Sequence, residues 1–398
     1  MIKLIACVVL IVSYVGLALG RLPGLRMNRA AIALVGSAIL IALGITPLKE
    51  AWQAIDATTI IFLLSMMIIN ASLAYSGLFQ IVLVNIVRTT HSPFGLLVLL
   101  TFGSGILSAF LLNDTLALVF TPLTLQVCQV LSLNPIPYLL TLAAATNIGS
   151  LATLSGNPQN ILIGSFSGIA YLEFAKIMTP IALMGMLIQI GLLYGMYPEV
   201  RSVKPFKQVP MLKPQTFTPL LTKSLVITGC LFAAFIVGLP LAESAFLAAS
   251  ALLITLRLRS ERFLSQIDWR LLLLFSGLFV LTKATRNLEL LAPLIQLVDL
   301  PVGLIASVSI LSNLISNVPA VLLLQPLIAP ENTQSWLLLA AGSTLAGNLT
   351  LFGAVANLIT VEAASKAGYQ LNFITHLRFG LPLTLITLTM SYFWIRLI

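Results

Sequence analysis

Long apolar runs follow one another along almost the whole chain. A transmembrane helix needs about 20 apolar residues, or somewhat fewer where the bilayer thins. Backbone amides inside a bilayer must bond internally, so such runs have to form helices. The sequence therefore predicts an all-α polytopic membrane protein, with apolar runs at 4–20, 30–45, 57–87, 94–131, 136–165, 177–197, 224–240, 244–256, 271–290, 301–330, 336–365 and 379–397.

Composition excludes the soluble alternatives. Of the 398 residues, 59% are hydrophobic and 8% are charged, whereas soluble domains carry about 25% charged residues. This excludes a soluble enzyme, a disordered chain and a nucleic-acid-binding domain. Cys7, Cys128 and Cys230 lie apart in apolar runs, and His91 and His376 lie at segment ends. We therefore expect no disulfide, no metal centre and no organic cofactor.

One long hydrophilic stretch, residues 198–223, divides the chain. It contains five prolines and five basic residues. Proline at this spacing argues against a regular helix. We therefore predict a first transmembrane repeat at 1–197, a basic, proline-rich cytoplasmic linker at 198–223, and a second transmembrane repeat at 224–398.

The two halves carry the same short motifs in the same order. In each half an Ile-Asp pair precedes an apolar run, an Asn interrupts a long apolar segment, and the spacing Thr-x-x-Gly-x-x-x-Asn follows. The offset between paired positions drifts from 212 to 204 to 197, as expected for a duplication with small loop changes. The pairs are Asp56 with Asp268, Asn113 with Asn317, and Thr153, Gly156 and Asn160 with Thr350, Gly353 and Asn357.

Basic residues predict how the halves are oriented. If each broken segment is a re-entrant hairpin, each half makes five crossings and the halves are inverted. With residues 21–29 in the cytoplasm, 15 of the 21 Lys and Arg residues lie on the cytoplasmic side, as the positive-inside rule requires. We therefore predict two inverted repeats of five spans each, with both termini outside, in the inner (cytoplasmic) membrane. Residues 94–131 also suffice for two thin spans, so re-entry is argued from the shorter segment 301–330.

Four interruptions of the apolar segments predict one central site. Non-helical backbone at membrane depth is tolerated where it is buried in protein or lines a wet cavity. Two interruptions are hairpin tips, of which the first contains the carboxylate of Asp114; Gly156 and Gly353 mark the other two. An intramembrane carboxylate is a candidate proton carrier or Na⁺ ligand. The alternatives are that the tip residues only cap the following helices and that the small polar residues only pack helices together.

The candidate site residues are the polar side chains at these interruptions and the backbone beside them. Hard cations take oxygen ligands, so the residues proposed for a coupling cation offer mostly neutral oxygens. The cation candidates are Asn113, Asp114, Ser155, Gly156, Asn317, Phe352 and Gly353. The candidate substrate-binding residues are Asn113, Asp114, Thr115, Thr153, Asn157, Asn160, Ser316, Asn317, Thr350 and Asn357.

The motifs resemble those of the ion transporter superfamily. The matching segments are Asn113-Asp114-Thr115, Ser155-Gly156-Asn157-Pro158 and Ser316-Asn317-Val318-Pro319. That superfamily includes arsenite permeases, citrate and divalent-anion–sodium symporters and one type of sodium–proton antiporter, and the arsenite-permease-like branch is most similar. The resemblance covers nearly the whole chain and implies paired re-entrant hairpins, discontinuous helices and elevator-type motion. The tips depart from the Ser-Asn-Thr tips of the divalent-anion symporters, which argues against a dicarboxylate substrate.

These observations predict a secondary active transporter of a small anion, arsenite-like, inorganic or carboxylate, coupled to Na⁺ or H⁺. The alternative is a sodium–proton antiporter on the same scaffold. An intramembrane enzyme is not expected, because neither histidine is placed beside a nucleophile at membrane depth. An ATP-driven pump would need a partner subunit, because the chain has no phosphate-binding loop. The expected partners are the lipid bilayer and a small ion; a monomer and a homodimer both stay open.

Overall fold

The protein is helical throughout the part that the structure describes. The computed structural model describes residues 1–22, 24–203, 206, 214, 216–254 and 261–398. These ranges contain helices and no strand, which confirms the all-α prediction. Residues 204–205, 207–213 and 215 of the predicted linker, and Arg257 and Arg259 of a predicted cytoplasmic loop, lie outside the described residues. The division into two repeats and a linker stays a prediction.

In the described part, ten α-helices precede residue 198. A 3-10 turn, Pro198–Arg201, follows them. The helices are α1 (Ile2–Leu19), α2 (Arg29–Ala42), α3 (Leu48–Ala54), α4 (Ala57–Ser76), α5 (Leu78–Thr89), α6 (Pro93–Phe110), α7 (Asn113–Val130), α8 (Ile136–Ser150), α9 (Pro158–Ser167) and α10 (Tyr171–Met196).

Ten more α-helices follow among the described residues, in the same order of lengths and breaks. A 3-10 turn, Gln325–Leu327, ends the seventh of them. They are α11 (Thr218–Val237), α12 (Leu241–Leu253), α13 (Glu261–Leu264), α14 (Trp269–Asn287), α15 (Ala292–Val298), α16 (Pro301–Ile315), α17 (Asn317–Leu324), α18 (Thr333–Ala346), α19 (Val355–Lys366) and α20 (Phe373–Arg396).

The paired Ile-Asp motifs have the same structural role in both halves. The carboxylate of Asp56 accepts a hydrogen bond from the Thr59 amide at 2.6 Å and so caps α4. The carboxylate of Asp268 accepts from the amides of Arg270 and Leu271 at 3.1 and 3.2 Å and caps α14. A side-chain acceptor at this position satisfies a helix N-terminal amide that has no partner within the helix.

Several helices are long and apolar enough to cross a bilayer. Among the described residues these are α1, α4, α6, α10, α11 and α20, and the bent pair α14–α15 makes a seventh if it counts as one span. The apolar run 57–87 is not one straight helix, because Gly77, with φ 86°, ends α4 and the chain starts again as α5. Glycine adopts this left-handed conformation without the steric cost that a side chain would add.

The two halves pack on each other in a reciprocal pattern. Helix α7 packs on α19, and α17 packs on α9. Likewise α4 packs on α12, and α14 packs on α2. Within each half, α6 packs on α8 and α16 packs on α18. Exchanging the halves leaves this pattern unchanged, as a pseudo-two-fold relation between repeats requires.

The helix pairs α6–α7 and α16–α17 differ in length. Helices of 18 residues, as in α6 and α7, rise about 27 Å, whereas the 8 residues of α17 rise about 12 Å. The hydrocarbon core is about 30 Å thick, so α17 is too short to cross it. Re-entry of the α16–α17 pair therefore stays the prediction that its length favours.

The predicted topology can be tested by labelling cysteines on either side of α11. In a background with Cys7, Cys128 and Cys230 replaced by alanine, Val203→Cys should react from the cytoplasmic side and Leu239→Cys from outside. Val203 and Leu239 are 72% and 51% exposed, so both are accessible to a membrane-impermeant maleimide. External labelling of position 203 would contradict the inverted-repeat prediction.

Candidate functional site

The first hairpin tip is held against the break between α8 and α9. Leu111 and Leu112 separate α6 from α7, which begins at Asn113. The Asn113 amide nitrogen donates to the carbonyl oxygen of Gly156 at 3.2 Å, and its side-chain Nδ2 donates to Oδ1 of Asn147 at 3.2 Å. The side-chain Oδ1 of Asn113 is buried and has no partner among the described residues.

The second tip is held in the equivalent way against the break between α18 and α19. In the side-chain orientation that satisfies its neighbours, Nδ2 of Asn317 donates to the carbonyl oxygens of Gly353 at 2.9 Å and Ser343 at 3.1 Å, and its Oδ1 accepts from Nε2 of Gln159 at 3.3 Å. Ser316, immediately before it, has φ 79° and ψ 160°. This backbone region is essentially confined to glycine and costs about 1–3 kcal/mol for other residues. The tip is thus held in a strained conformation by its surroundings.

One asparagine closes each helix break by the same two hydrogen bonds. Nδ2 of Asn160 donates to the carbonyls of Ser150 and Thr153 at 3.1 and 2.9 Å. Nδ2 of Asn357 donates to the carbonyls of Gly347 and Thr350 at 2.8 and 3.0 Å. These two side chains satisfy carbonyls that the interrupted helices leave open. The repeated Thr-x-x-Gly-x-x-x-Asn spacing therefore builds a clamp across each break.

Gly156 lies where a larger residue does not fit. A methyl group at this position would lie 2.3 Å from the carbonyl oxygen of Ser150 and 2.8 Å from that of Ser108. The backbone of the α8–α9 break therefore lies close to both α8 and α6. At Gly353 a methyl group would lie 2.8 Å from Oδ1 of Asn313 and 2.8 Å from the Gly347 carbonyl oxygen. The second break therefore packs nearly as tightly on its neighbours as the first.

Buried amides link the two breaks directly. Nδ2 of Asn147 on α8 donates to Oδ1 of Asn348 at 2.9 Å and to Oδ1 of Asn357 at 3.1 Å. From the other side, Asn157 and Gln159 donate to Oγ1 of Thr344 at 3.3 and 3.2 Å. Each hydrogen-bonded group is in the opposite half of the chain from its partner, so the halves share one polar core.

A cavity of about 660 Å³ lies between the tips and breaks. Asn113, Asp114, Ser316 and Asn317 line it, with Gln159 and Phe352 from the breaks. Its mouth, at one end of the molecule, is lined by Gly20, Asn28, Arg29, Asp268, Arg270 and Glu362. Cavities of this size hold small molecules and ions.

Asp114 is the one carboxylate at the tips. It is half-buried, and its side chain makes no hydrogen bond or ion pair with any described residue. Val318 takes the equivalent position at the second tip. At the mouth, by contrast, Glu362 pairs with Lys366 at 2.8 Å and Asp268 caps α14. The cavity therefore combines Asp114, an acid without a partner among the described residues, with two basic and two acidic residues at its opening.

Neither tip uses a side-chain cap, contrary to the alternative that tip residues only cap the following helices. Helix α7 begins after Leu112 without a side-chain cap hydrogen bond, and α17 begins after Ser316 in the same way. Asn157 does cap, because its Oδ1 accepts from the Asn160 amide at 2.8 Å. Proline at the first position of α9 suits a helix start.

The predicted site residues form two layers. Five of them line the cavity, namely Asn113, Asp114, Ser316, Asn317 and Phe352. The others are not among its lining residues; they lie behind it at the tips and in the breaks, and are Thr115, Thr153, Ser155, Gly156, Asn157, Asn160, Thr350, Gly353 and Asn357. Thr153 donates to the carbonyl of Ala109, and Ser155 bonds the Tyr171 hydroxyl at 3.1 Å, so this layer supports the cavity wall.

Three buried polar residues of this region and the half-buried Asn313 were not among the predicted ligands. Asn147, Asn348 and Thr344 join the two breaks, as described above, and Asn313 joins α16 to the second break. Nδ2 of Asn313 donates to the carbonyl of Ala346 at 2.9 Å, and its Oδ1 accepts from Thr350 at 3.0 Å. The sequence signal was present, since each is an amide or hydroxyl within an apolar helix, but nothing in the sequence shows which partner it meets.

The family follows from a match over most of the chain. The family model described as citrate transporter, CitMHS, matches residues 8–340. The chain belongs to the CitMHS family. It is therefore a multi-pass membrane transporter of the ion transporter superfamily, as the motifs predicted.

Relatives of this CitMHS chain share its length. The 46 kDa membrane protein of Mycobacterium leprae is 31% identical over 429 aligned residues, covering 99% of each chain. The silicon efflux transporter LSI3 of Oryza sativa subsp. japonica is 29% identical and covers 92% of this chain and 91% of its own. Among solved structures, the Alcanivorax borkumensis YdaH transporter matches with a TM-score of 0.59 at 14% identity, covering 98% of this chain and 96% of its own. That similarity establishes a shared fold.

Proposed function

We propose that this protein is a secondary active transporter that moves a small oxyacid or its anion across the cytoplasmic membrane by elevator-type alternating access, coupled to H⁺ or Na⁺. The observation that carries the proposal is the convergence of two helix tips and two helix breaks on one cavity of about 660 Å³. Broken helices with matched positions in two halves are the architecture of many secondary transporters.

The conformation fits an inward-facing state. The mouth residues include Gly20, Arg29, Arg270 and Glu362, and all lie on the side that the charge distribution predicts to be cytoplasmic. Arg29 and Arg270 line the mouth together with the acids Asp268 and Glu362, so these four residues bring no net charge to it. A substrate released toward the cytoplasm, or loaded from it, would pass between them.

The part of the cavity at the two tips favours a small polar solute with many hydroxyl or oxygen groups. Asn113, Asn317 and Gln159 offer amide donors and acceptors there, and no described Lys or Arg lines the tips. The unpaired carboxylate of Asp114 disfavours a highly charged anion unless a proton or cation enters with it. The family's citrate description and the silicon named for the rice relative suggest a carboxylate and a small oxyacid as the substrates to test first.

Sodium–proton antiport on the same scaffold remains the second candidate, because Asp114 lies unpaired in the cavity and can exchange a proton for a cation. Purified protein in proteoliposomes separates the two functions. We expect uptake of arsenite, silicic acid, citrate or sulfate above that of empty liposomes, dependent on a Na⁺ or pH gradient. A Na⁺-dependent response of a lumenal pH dye without uptake of any solute would replace this proposal by the antiporter.

If Na⁺ is the coupling ion, the tip asparagines should supply part of its site. Asn113→Ala removes a buried oxygen that has no partner among the described residues, and Asn317→Ala removes the bond that orients the second tip. Each should raise the Na⁺ concentration for half-maximal uptake by about tenfold, equivalent to about 1.4 kcal/mol. The exposed Asn85→Ala on α5 is the control. Uptake that is independent of Na⁺ in the unmodified protein would leave protons as the coupling ion.

A further inference from the structure

A second cavity, of about 290 Å³, lies at the opposite end of α14 from the mouth of the first. Helices α3, α9, α14 and α17 line it, with Gln53, Thr282, Lys283, Arg286 and Gln325 among its residues. The N-terminal ends of α9 and α17 line the central cavity, and their C-terminal ends line this one. We call it the outer cavity, because the charge distribution predicts its side to be external.

The two cations of the outer cavity form no ion pair with a described residue. Lys283 is half-buried and Arg286 is exposed, and neither side chain forms a hydrogen bond or ion pair with another residue in the described ranges. Glu50 also lines the cavity, but its Oε2 is contacted by Nδ2 of Asn287 at 3.4 Å. The cavity therefore has an excess of positive charge.

Two structural roles would explain basic residues near a membrane surface. Long cationic side chains extend to the headgroups beside lipid, and a cation in the last turn of a helix stabilises its C-terminal dipole, as Arg286 does for α14. Neither role accounts for Lys283 facing a cavity that also contains the neutral polar groups of Gln53, Thr282 and Gln325. Cations converging with amide and hydroxyl groups in a concave site are typical of anion binding.

We propose that the outer cavity is a second binding site, selective for a small oxyanion of one or two negative charges held by Lys283 and Arg286. Its volume of about 290 Å³ admits sulfate, phosphate or a small carboxylate. The site does not depend on the central cavity being the transport site. A ligand in this cavity would lie beside Phe166 of α9 and Leu322 of α17, whose helices begin at the central cavity; Lys283 and Arg286 would have to outweigh the partial negative charge of these helix C-terminal ends.

A charged thiol reagent tests the site without knowledge of the natural ligand. Gln53 is exposed and lines the cavity, so Gln53→Cys, in the background with Cys7, Cys128 and Cys230 replaced by alanine, places a thiol at its edge. The probes are the anionic sulfonatoethyl and the cationic trimethylammonioethyl methanethiosulfonates, applied from outside. We expect the ratio of anionic to cationic labelling rates, divided by the same ratio for a small free thiol, to be about ten, because the local field concentrates anions.

Substitutions that each remove one charge test whether the cavity causes this preference. Lys283→Gln and Arg286→Gln should each reduce the preference at least about threefold, whereas Glu50→Gln should increase it. Lys176→Gln removes the same charge on the same predicted side, away from the cavity lining and from Gln53, and should leave the preference unchanged. Sodium sulfate at constant ionic strength should slow labelling in the parent and not in Lys283→Gln. An equal loss of preference in the Lys176→Gln control, or absence of sulfate protection in the parent, would overturn the proposal.

Discussion

Asp114→Asn should abolish coupled transport while leaving the protein folded. The substitution keeps the shape of the side chain but removes the group that can carry a proton or a negative charge at the tip. Asp114 makes no hydrogen bond or ion pair with any described residue, so no structural contact is lost. We expect uptake in proteoliposomes to fall at least about tenfold, or to become independent of pH, with unchanged expression and thermal stability in detergent.

The same variant tests the alternative that Asp114 only caps α7. Asparagine caps a helix about as well as aspartate, so a purely structural role predicts near-normal transport. The absence of a side-chain cap at this helix start already argues against that role. Glu362→Gln is the control, since it removes an acid that lines the same cavity at its mouth and pairs with Lys366. An unchanged pH profile in Asp114→Asn would reject the proton-carrier hypothesis.

Gly156→Ala should have the second large effect, by distorting the break between α8 and α9. Its methyl group would overlap the carbonyl oxygens of Ser150 and Ser108, which are backbone atoms that cannot rotate away. Overpacking of this kind costs about 1–3 kcal/mol, and the shift would displace the carbonyl that accepts from the Asn113 amide. We expect transport to be lost and the unfolding temperature in detergent to fall.

Gly191→Ala is the matched control for this steric argument. Gly191 lies within α10, and an added methyl group there would meet no atom within 4 Å. Alanine is also the better helix former, so transport and stability should be unchanged or slightly improved. Normal transport in Gly156→Ala would contradict the close approach of the break to α6 and α8.

The positions of the helix breaks were predictable, because local chemistry determines them. Pro158 interrupts a helix because it has no amide hydrogen to donate, and Gly156 permits a close backbone approach. Pro319 follows the second tip. Because the same spacing occurs in both halves, the sequence also predicted that the two breaks lie at one central site. Asp56 and Asp268 were likewise identifiable as paired helix starts, and both cap as their position suggests.

The polar contacts between the halves were not predictable from one sequence. Asn147 and Asn348 are 201 positions apart, and their contact depends on the rotation of α8 and on the path of the second break. The end of α4 at Gly77 was missed because the apolar run 57–87 contains no proline and continues on both sides of the glycine. Arg29 and Arg270 were assigned to loops by their charge, and only the tertiary structure brings them to the mouth of one cavity.

The crossed packing of the two halves affects how the chain must be made. Helix α7 packs on α19, and α9 packs on α17, so the first half leaves the ribosome with two faces whose partners have not yet been synthesised. During that interval polar break residues whose side-chain amide donors bond to the second half, such as Asn147 and Gln159, need water, lipid headgroups or an insertion factor to satisfy them. Insertion and final folding are therefore separate events in this molecule, and the second event waits for residues 317–366 to be translated.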